Sequence, residues 1–476
     1  MPSTLTDLAP LLPEIWLAAM ACVVLVADVY AGRGRITVAY LLAQLSLLGA
    51  LWLLLRDRSA VPVSLFDGAF LRDELADLLK LFVLGLTAAA FAYARGYLQG
   101  RGLERGEYFA LGLFGVLGMM VLISAGSLLT LYLGLELLAL SLYAMVALHR
   151  DSLEASEAAM KYFVLGALAS GMLLYGISLL YGVTGSLGLD EVARAAAADG
   201  ADPVMLLALA FVVVGVAFKL GAVPFHMWVP DVYHGAPAAV ALYVGAAPKI
   251  AGFALAMRLL VEGLGGLQGQ WADMLTVLAV LSLAVGNVVA IAQTNIKRML
   301  GYSTISHMGF LLLGLLAGTR DGYGAAMFYA LTYALMAAGA FGVVTVMSRE
   351  GEAERLDDYR GLNARNPWLA FLMLVLMFSM AGVPPTVGFY AKLTVLKAVI
   401  DVGAMWLAVL AVIFSVIGAF YYLRVVKLMY FDEPPQEVPV RAGLEAGTVL
   451  SVNGLAVLAL GLLPGTLLAL CLRAVG

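Results

Sequence analysis

Phe218-Lys-Leu-Gly-Ala-Val-Pro-Phe-His-Met-Trp-Val-Pro-Asp231 is an apolar stretch carrying two things a bilayer penalises, a lysine and a pair of prolines. Proline removes a backbone donor and clashes with the preceding turn, so a helix entering this stretch breaks within it. An ammonium in hydrocarbon is expensive, and a membrane helix that holds one faces a watery cavity or a partner charge. A second such stretch, Ala381-Gly-Val-Pro-Pro-Thr-Val-Gly388, runs on to Lys392. Broken helices at membrane depth are tolerated only where protein or water satisfies the freed backbone groups. The two stretches therefore read as discontinuous helices beside a polar interior, although a purely structural kink would give the same proline pattern.

The rest of the chain agrees with a bilayer setting. Hydrophobic residues make up 63% of the 476 and charged ones 13%, and the mean hydropathy is +0.96, which describes an all-α polytopic membrane protein rather than a soluble domain. A net charge of -4 with no basic tract excludes a nucleic-acid partner. Cys22 and Cys471 stand alone at opposite ends, so no disulfide framework, iron–sulfur cluster or metal site is expected. No Gly-x-Gly-x-x-Gly opens a helix after a strand, so no nicotinamide nucleotide binds here. The first apolar run lacks a basic region before it, and a cleaved signal peptide is not expected.

A helix needs about 20 mostly apolar residues to cross the hydrocarbon. That ruler places about fourteen spans near 11–31, 36–55, 75–95, 107–125, 128–148, 160–182, 204–228, 238–260, 273–293, 299–317, 322–347, 367–395, 404–429 and 447–472. Spans seven and twelve hold the breaks. Loops after odd spans carry most of the basic residues, among them Arg33, Arg35, Arg95, Arg101, Arg105, Arg150, Lys297, Arg298, Arg349, Arg355, Arg360, Arg365, Lys427 and Arg441, whereas loops after even spans hold chiefly Arg56, Arg58, Arg72, Arg194 and Arg320. By the positive-inside rule the odd loops are cytoplasmic and both termini lie on the other side. Surface helices are expected at Leu187 to Ala198 and, as a solvated charged face, at Glu352 to Arg365.

Eight lysines occur in all, and Lys219, Lys249 and Lys392 fall inside apolar runs; Glu136 is the carboxylate deep in an apolar run of the middle section. Spans seven and twelve are five helices apart and so antiparallel, and each pairs a break with a lysine. Glu136 precedes Lys219 by 83 residues and His307 precedes Lys392 by 85. This is the pattern of two inverted five-helix repeats, spans four to eight and nine to thirteen, with ion sites in discontinuous helices. One membrane domain over 1–476 results: flanking helices in 1–106, a first repeat in 107–262, a second in 273–430 and a last flanking helix in 447–472.

The two proline-lysine stretches, with Gly235-Ala-Pro and Ala247-Pro-Lys249, closely resemble the signature of the antiporter-like proton-translocating subunits of respiratory complex I and of Mrp-type cation/proton antiporters. The resemblance covers spans four to thirteen. Among the family's three large complex I subunits, one continues into a long lateral helix, for which Gly476 leaves no room, and one has glutamate where this chain has Lys392; the third remains. The resemblance implies that Glu136 and Lys219 form a buried ion pair, that Lys249 is the central proton carrier, and that Lys392 is the carrier of the second half. Burial disfavours a charged lysine and a nearby carboxylate favours it, so moving Glu136 would change the proton affinity of Lys219. His226, Tyr243, Ser303, Ser306 and His307 could extend the relay through water; Tyr243 and the serines serve equally as helix-packing groups, and His226 as a cap on a broken end. Lys297 and Arg298 read as topology determinants, and Lys80 and Lys397 as snorkelling side chains.

The implied function is proton translocation driven by electron transfer elsewhere. NADH, FMN, iron–sulfur clusters and quinone would sit in partner subunits and none in this chain. The partners would be the other membrane-arm subunits and the lipid bilayer, in the bacterial cytoplasmic membrane. Two other readings stand beside it, a secondary sodium/proton antiporter and a non-transporting scaffold. Sodium would want carboxylate oxygens at midplane, where there is little beyond Glu136, and a scaffold has no use for three buried lysines.

Overall fold

A computed structural model describes residues 5–31, 36–56, 61–199, 202–434 and 439–476; Arg33, Arg35 and Arg58 of the orientation argument lie outside them. Helices dominate: α1 (Leu12–Ala31), α2 (Ile36–Arg56), α3 (Glu74–Gly100), α4 (Glu107–Ile123), α5 (Leu128–Val146), α6 (Leu153–Thr184), α7 (Leu189–Asp199), α8 (Pro203–Leu220), α9 (Trp228–Gly235), α10 (Ala238–Gly245) and α11 (Ala247–Ala256). There follow α12 (Gln268–Ile291), α13 (Ile296–Leu316), α14 (Arg320–Met347), α15 (Leu362–Arg365), α16 (Pro367–Ala381), α17 (Val387–Asp401), α18 (Met405–Phe431), α19 (Leu444–Leu462) and α20 (Pro464–Ala474). A two-stranded hairpin, Val63–Leu65 with Phe70–Arg72, precedes α3. Among the described residues, twelve helical runs are long and apolar enough to cross a membrane.

Every expected span interval holds helix. The expected surface segments are present as α7 and as a 3-10 turn, Leu356–Tyr359, followed by α15. Side chains that accept amides of the first turn mark several starts, including Asp73, Ser127, Ser152, Asn295, Thr319 and Asn366. Small residues set the closest approaches. A Cβ on Gly118 would meet the Leu138 amide nitrogen of α5 at 2.6 Å, and one on Gly286 the Ser306 nitrogen of α13 at 2.6 Å.

Those two contacts belong to a wider correspondence. Ser127 caps α5 and Asn295 caps α13, each accepting from the third residue on. The chain after α6 bridges to the start of α5 through Leu128 N to Leu187 O at 2.8 Å and Leu189 N to Gly126 O at 3.0 Å. The chain after α14 bridges to the start of α13 through Ile296 N to Glu354 O at 2.7 Å and Leu356 N to Thr294 O at 2.9 Å. Aligned on these features, Glu136 falls opposite Thr304 rather than His307. Loop lengths, not register, produce the similar spacings in the sequence.

Candidate functional site

Both breaks end a helix in the same way. After α8, Gly221 takes φ +83° and its amide and that of Ala222 return to the Ala217 carbonyl at 2.9 and 2.8 Å; Val223-Pro224 is cis. After α16, Gly382 takes φ +90°, the amides of Gly382 and Val383 return to Phe378 O at 3.0 and 2.9 Å, and Pro384-Pro385 is cis. Left-handed φ at a helix C-terminus favours glycine, which has no Cβ to clash. Each break leaves the last carbonyls of its helix exposed inside the protein, where a cation is favoured by the helix dipole.

A lysine occupies that place in each. Lys249, 1% exposed on α11, donates to Leu220 O at 2.9 Å and lies 4.9 Å from the centre of the Trp228 ring. Lys392, on α17, donates to Ala381 O at 2.9 Å and to the Ser415 hydroxyl at 2.8 Å, 5.1 Å from the Phe310 ring. The two lysines thus reach equivalent carbonyls from different helices. By break register the residue opposite Lys219 is Met380, and the one opposite Lys392 is Asp231.

Lys219 closes the last turn of α8, its stem against Gly252 one turn from Lys249. It shares with Glu136 a cavity of about 30 Å³ lined also by Tyr162, Ser170 and Trp228. The pair is not in direct ionic contact: Glu136 takes the Ser170 hydroxyl instead, and no ion pair within 4 Å joins it to Lys219 among the described residues. A cavity of that volume has room for about one water, enough to bridge carboxylate and ammonium.

A second hollow lies nearer the start of α6. Glu154, Ala158, Tyr162, Gly166 and Ser170 recur every fourth residue of α6, a stripe that winds about 40° around the helix at each step. The outer residues Glu154 and Ala158, with Glu157, Lys161, Asp231, His234 and Arg298, line a hollow of about 230 Å³. The inner ones line the Glu136–Lys219 cavity. Between them Tyr162 stacks on Trp228, centroids 4.6 Å apart, and the indole NH donates to Phe218 O at 2.9 Å. In the hollow Asp231 pairs with Arg298 at 2.6 Å and with Lys161 at 3.0 Å. Burial works against its ionisation, but these two cations win and hold the carboxyl below its ordinary range. His234 is pushed below the usual imidazole value by burial, which Lys297 and Arg298 reinforce and Glu354 opposes.

The second half gathers the expected Ser303, Ser306 and His307 with tyrosines and an asparagine the sequence did not single out. His307 Nδ1 lies 2.7 Å from the Tyr329 hydroxyl and Nε2 3.1 Å from that of Tyr422, which also meets Ser303 at 2.5 Å. Tyr333 donates to Thr304 at 2.7 Å. Asn287 donates to Ser306 at 2.8 Å and accepts from Tyr421 at 3.2 Å. His307 is one turn before Phe310, the ring beneath Lys392.

Other expected residues fall elsewhere. Tyr243 is buried and donates to Gly112 O of α4 at 2.7 Å, stacked on Phe91. His226 is half-buried in the turn between α8 and α9, with Nδ1 unpartnered. One lysine departs from its reading. Lys80 does not snorkel: it is fully buried and bonds Glu14 of α1 at 2.5 Å, because Glu14 offers the compensating charge inside. Lys297 is buried too, donating to Ala236 O at 2.8 Å and pairing with Glu354. Lys397 is exposed as expected, 3.7 Å from Asp401. Missed altogether was Arg258, buried in a π-helical turn (Met257–Gly263), which pairs with Asp73 at 2.8 Å and Glu262 at 2.7 Å and donates to Ile123 O at 3.0 Å. Among the described residues no group of three or more His, Cys, Asp or Glu is placed to hold a metal.

The fold and site define an antiporter-like membrane protein, built from discontinuous helices with lysines on their freed carbonyls. The model of the NADH:quinone oxidoreductase/Mrp antiporter transmembrane family matches residues 125–418. NADH-quinone oxidoreductase subunit N of Thioalkalivibrio sulfidiphilus is 60% identical over the full length of both chains. A chain of respiratory complex I from Thermus thermophilus superposes with a TM-score of 0.82 at 33% identity, covering 96% of this chain and 98% of that one. A chain of the Mrp complex from Dietzia shares the fold, with a TM-score of 0.87 at 23% identity over 99% and 97% of the two chains. The chain belongs to the NADH:quinone oxidoreductase/Mrp antiporter family, in its NADH-quinone oxidoreductase subunit N branch.

Proposed function

We propose that this proton-translocating membrane subunit of NADH:quinone oxidoreductase moves protons along Glu136, Lys219, Lys249, the His307 cluster and Lys392. The observation that carries the reading is the ammonium of Lys249 or Lys392 seated on a carbonyl freed by each broken helix. An amine keeps that hydrogen bond in either protonation state, so the proton can come and go without dismantling the site. Protons reach Lys219 from the charged hollow at Asp231 and His234, along the α6 stripe and past the Tyr162–Trp228 stack. Glu136, held by Ser170, tunes Lys219 through water. His307 meets Tyr329 and Tyr422 directly, Ser303 extends the cluster from Tyr422, and Ser306 joins Asn287 to it, whereas Tyr243 holds the α4 backbone in place.

The matching caps, bridges and breaks support two inverted five-helix repeats, 107–262 and 273–430, flanked by 1–106 and 447–472. The subunit lies in the bacterial cytoplasmic membrane with both termini on the periplasmic side, beside the other membrane-arm subunits. NADH, FMN, iron–sulfur clusters and quinone reside in those partners, and this chain contributes the translocase step alone.

Lys249 is the test. Arginine cannot lose its proton in a protein and alanine cannot hold one. In the whole enzyme, Lys249→Arg and Lys249→Ala should both depress proton translocation and coupled quinone reduction at least about tenfold, a rise of roughly 1.4 kcal/mol in the coupled barrier. NADH oxidation with artificial acceptors should persist. Near-normal pumping by the arginine variant would make the lysine a permanent cation and remove it from the relay.

A further inference from the structure

The ends of α3, α14 and α15 and the start of α19 surround two adjoining cavities of about 190 and 130 Å³ that share Val346 and Arg349. Four arginines line them, Arg95, Arg349, Arg365 and Arg441, against two carboxylates, Glu350 and Glu445. Glu445 is already engaged, by Arg95 at 3.1 Å and by Tyr40. Among the described residues the Arg349 and Arg441 guanidiniums have no ion pair or hydrogen bond, and the Arg95 Nε is buried without a partner. Arg349 lies along residues without side chains: a Cβ on Gly443 would approach its Nη1 at 3.3 Å, and one on Gly100 would meet its Cγ at 3.1 Å. Leu444, Glu445 and Ala446, the first turn of α19, form part of the wall, and first-turn amides of a helix are donors without intrahelical acceptors.

We propose that this hollow binds the phosphate headgroup of an anionic phospholipid. Guanidiniums take phosphate oxygens in pairs, and those of Arg349 and Arg441 have no partner among the described residues. The position argues for a lipid rather than a soluble anion. The hollow sits where three long apolar helices end, and Leu444, 90% exposed, and Trp368, 49% exposed, stand on the apolar flank beside it; tryptophan is common at that boundary. Headgroup in the hollow and acyl chains along the flank satisfy both surfaces at once. None of the relay residues takes part.

The experiment uses the whole enzyme, stripped of lipid in detergent and returned to phosphatidylcholine vesicles containing graded phosphatidylglycerol, with phospholipid retained by the purified enzyme measured by mass spectrometry. Wild-type enzyme should keep anionic phospholipid through purification and regain coupled activity as phosphatidylglycerol rises. Arg349→Gln should retain less and need about fivefold more phosphatidylglycerol, the loss expected for one basic group near a lipid surface. Arg349→Lys should lie between. Arg441→Gln, on the exposed rim, gives the same reading if Arg349→Gln fails to assemble. Millimolar inorganic phosphate restoring activity in phosphatidylcholine alone would assign the hollow to a free anion and overturn the lipid. Equal retention and identical titration for wild type and both glutamine variants would overturn the site.

Discussion

Lys80 shows how a residue's neighbours override its type. Its ammonium is shut away with Glu14 and sits 5.1 Å from the Phe70 ring. Breaking a buried pair by removing one partner costs about 3–5 kcal/mol, because the other charge is stranded, while replacing both by apolar groups is close to neutral. Lys80→Met should therefore lower the temperature at which the subunit unfolds within the enzyme, and Glu14→Leu with Lys80→Met should recover most of the loss. A single variant as stable as wild type would contradict this. Sequence identified Lys219, Lys249 and Lys392 because charge in an apolar run is conspicuous. It could not identify Tyr329, Tyr333, Tyr421 and Tyr422, since 21 tyrosines occur throughout the chain and only folding brings these to His307. The α6 stripe was readable in principle, as Glu154, Ala158, Tyr162, Gly166 and Ser170 recur at helical spacing.

At the level of elements the breaks were legible because proline and glycine act locally. What escaped was register, which depends on caps and bridges between distant segments. Gly382→Ala places a Cβ 2.9 Å from Lys392 Cδ at a φ of +90°, where a side chain costs about 1–2 kcal/mol. The variant should pump poorly while assembling, with Gly221→Ala, whose Cβ would come 2.6 Å from Val229 Cγ2, behaving likewise. Normal coupling ratios in both would mean that the breaks do not position the lysines. Orientation is checked by fusions: a reporter active only in cytoplasm should work after Arg105 and after Arg360 and be silent at Gly476. Activity at Gly476 would reverse the side assignments.

For the whole molecule, helices α1 to α3 and α19 lie outside the proposed repeats, and α1, α2 and α19 expose large apolar side chains such as Val26, Leu45, Trp52 and Val452. The subunit should co-purify with the other membrane-arm subunits of NADH:quinone oxidoreductase, and its deletion should abolish pumping. Quantitative recovery as a lone monomer that exchanges sodium for protons in liposomes would put a free-standing antiporter in its place.

Trp228 belongs to two assemblies at once. Its ring stacks on Tyr162 and also lies under the Lys249 ammonium. A swing of the indole that parts the stack also moves it relative to the ammonium, so the two contacts are mechanically coupled, like the doors of an airlock. For the relay proposed above, parting the stack and freeing the Lys249 ammonium would then be one rotation of one side chain, which would limit back-leak without any moving domain.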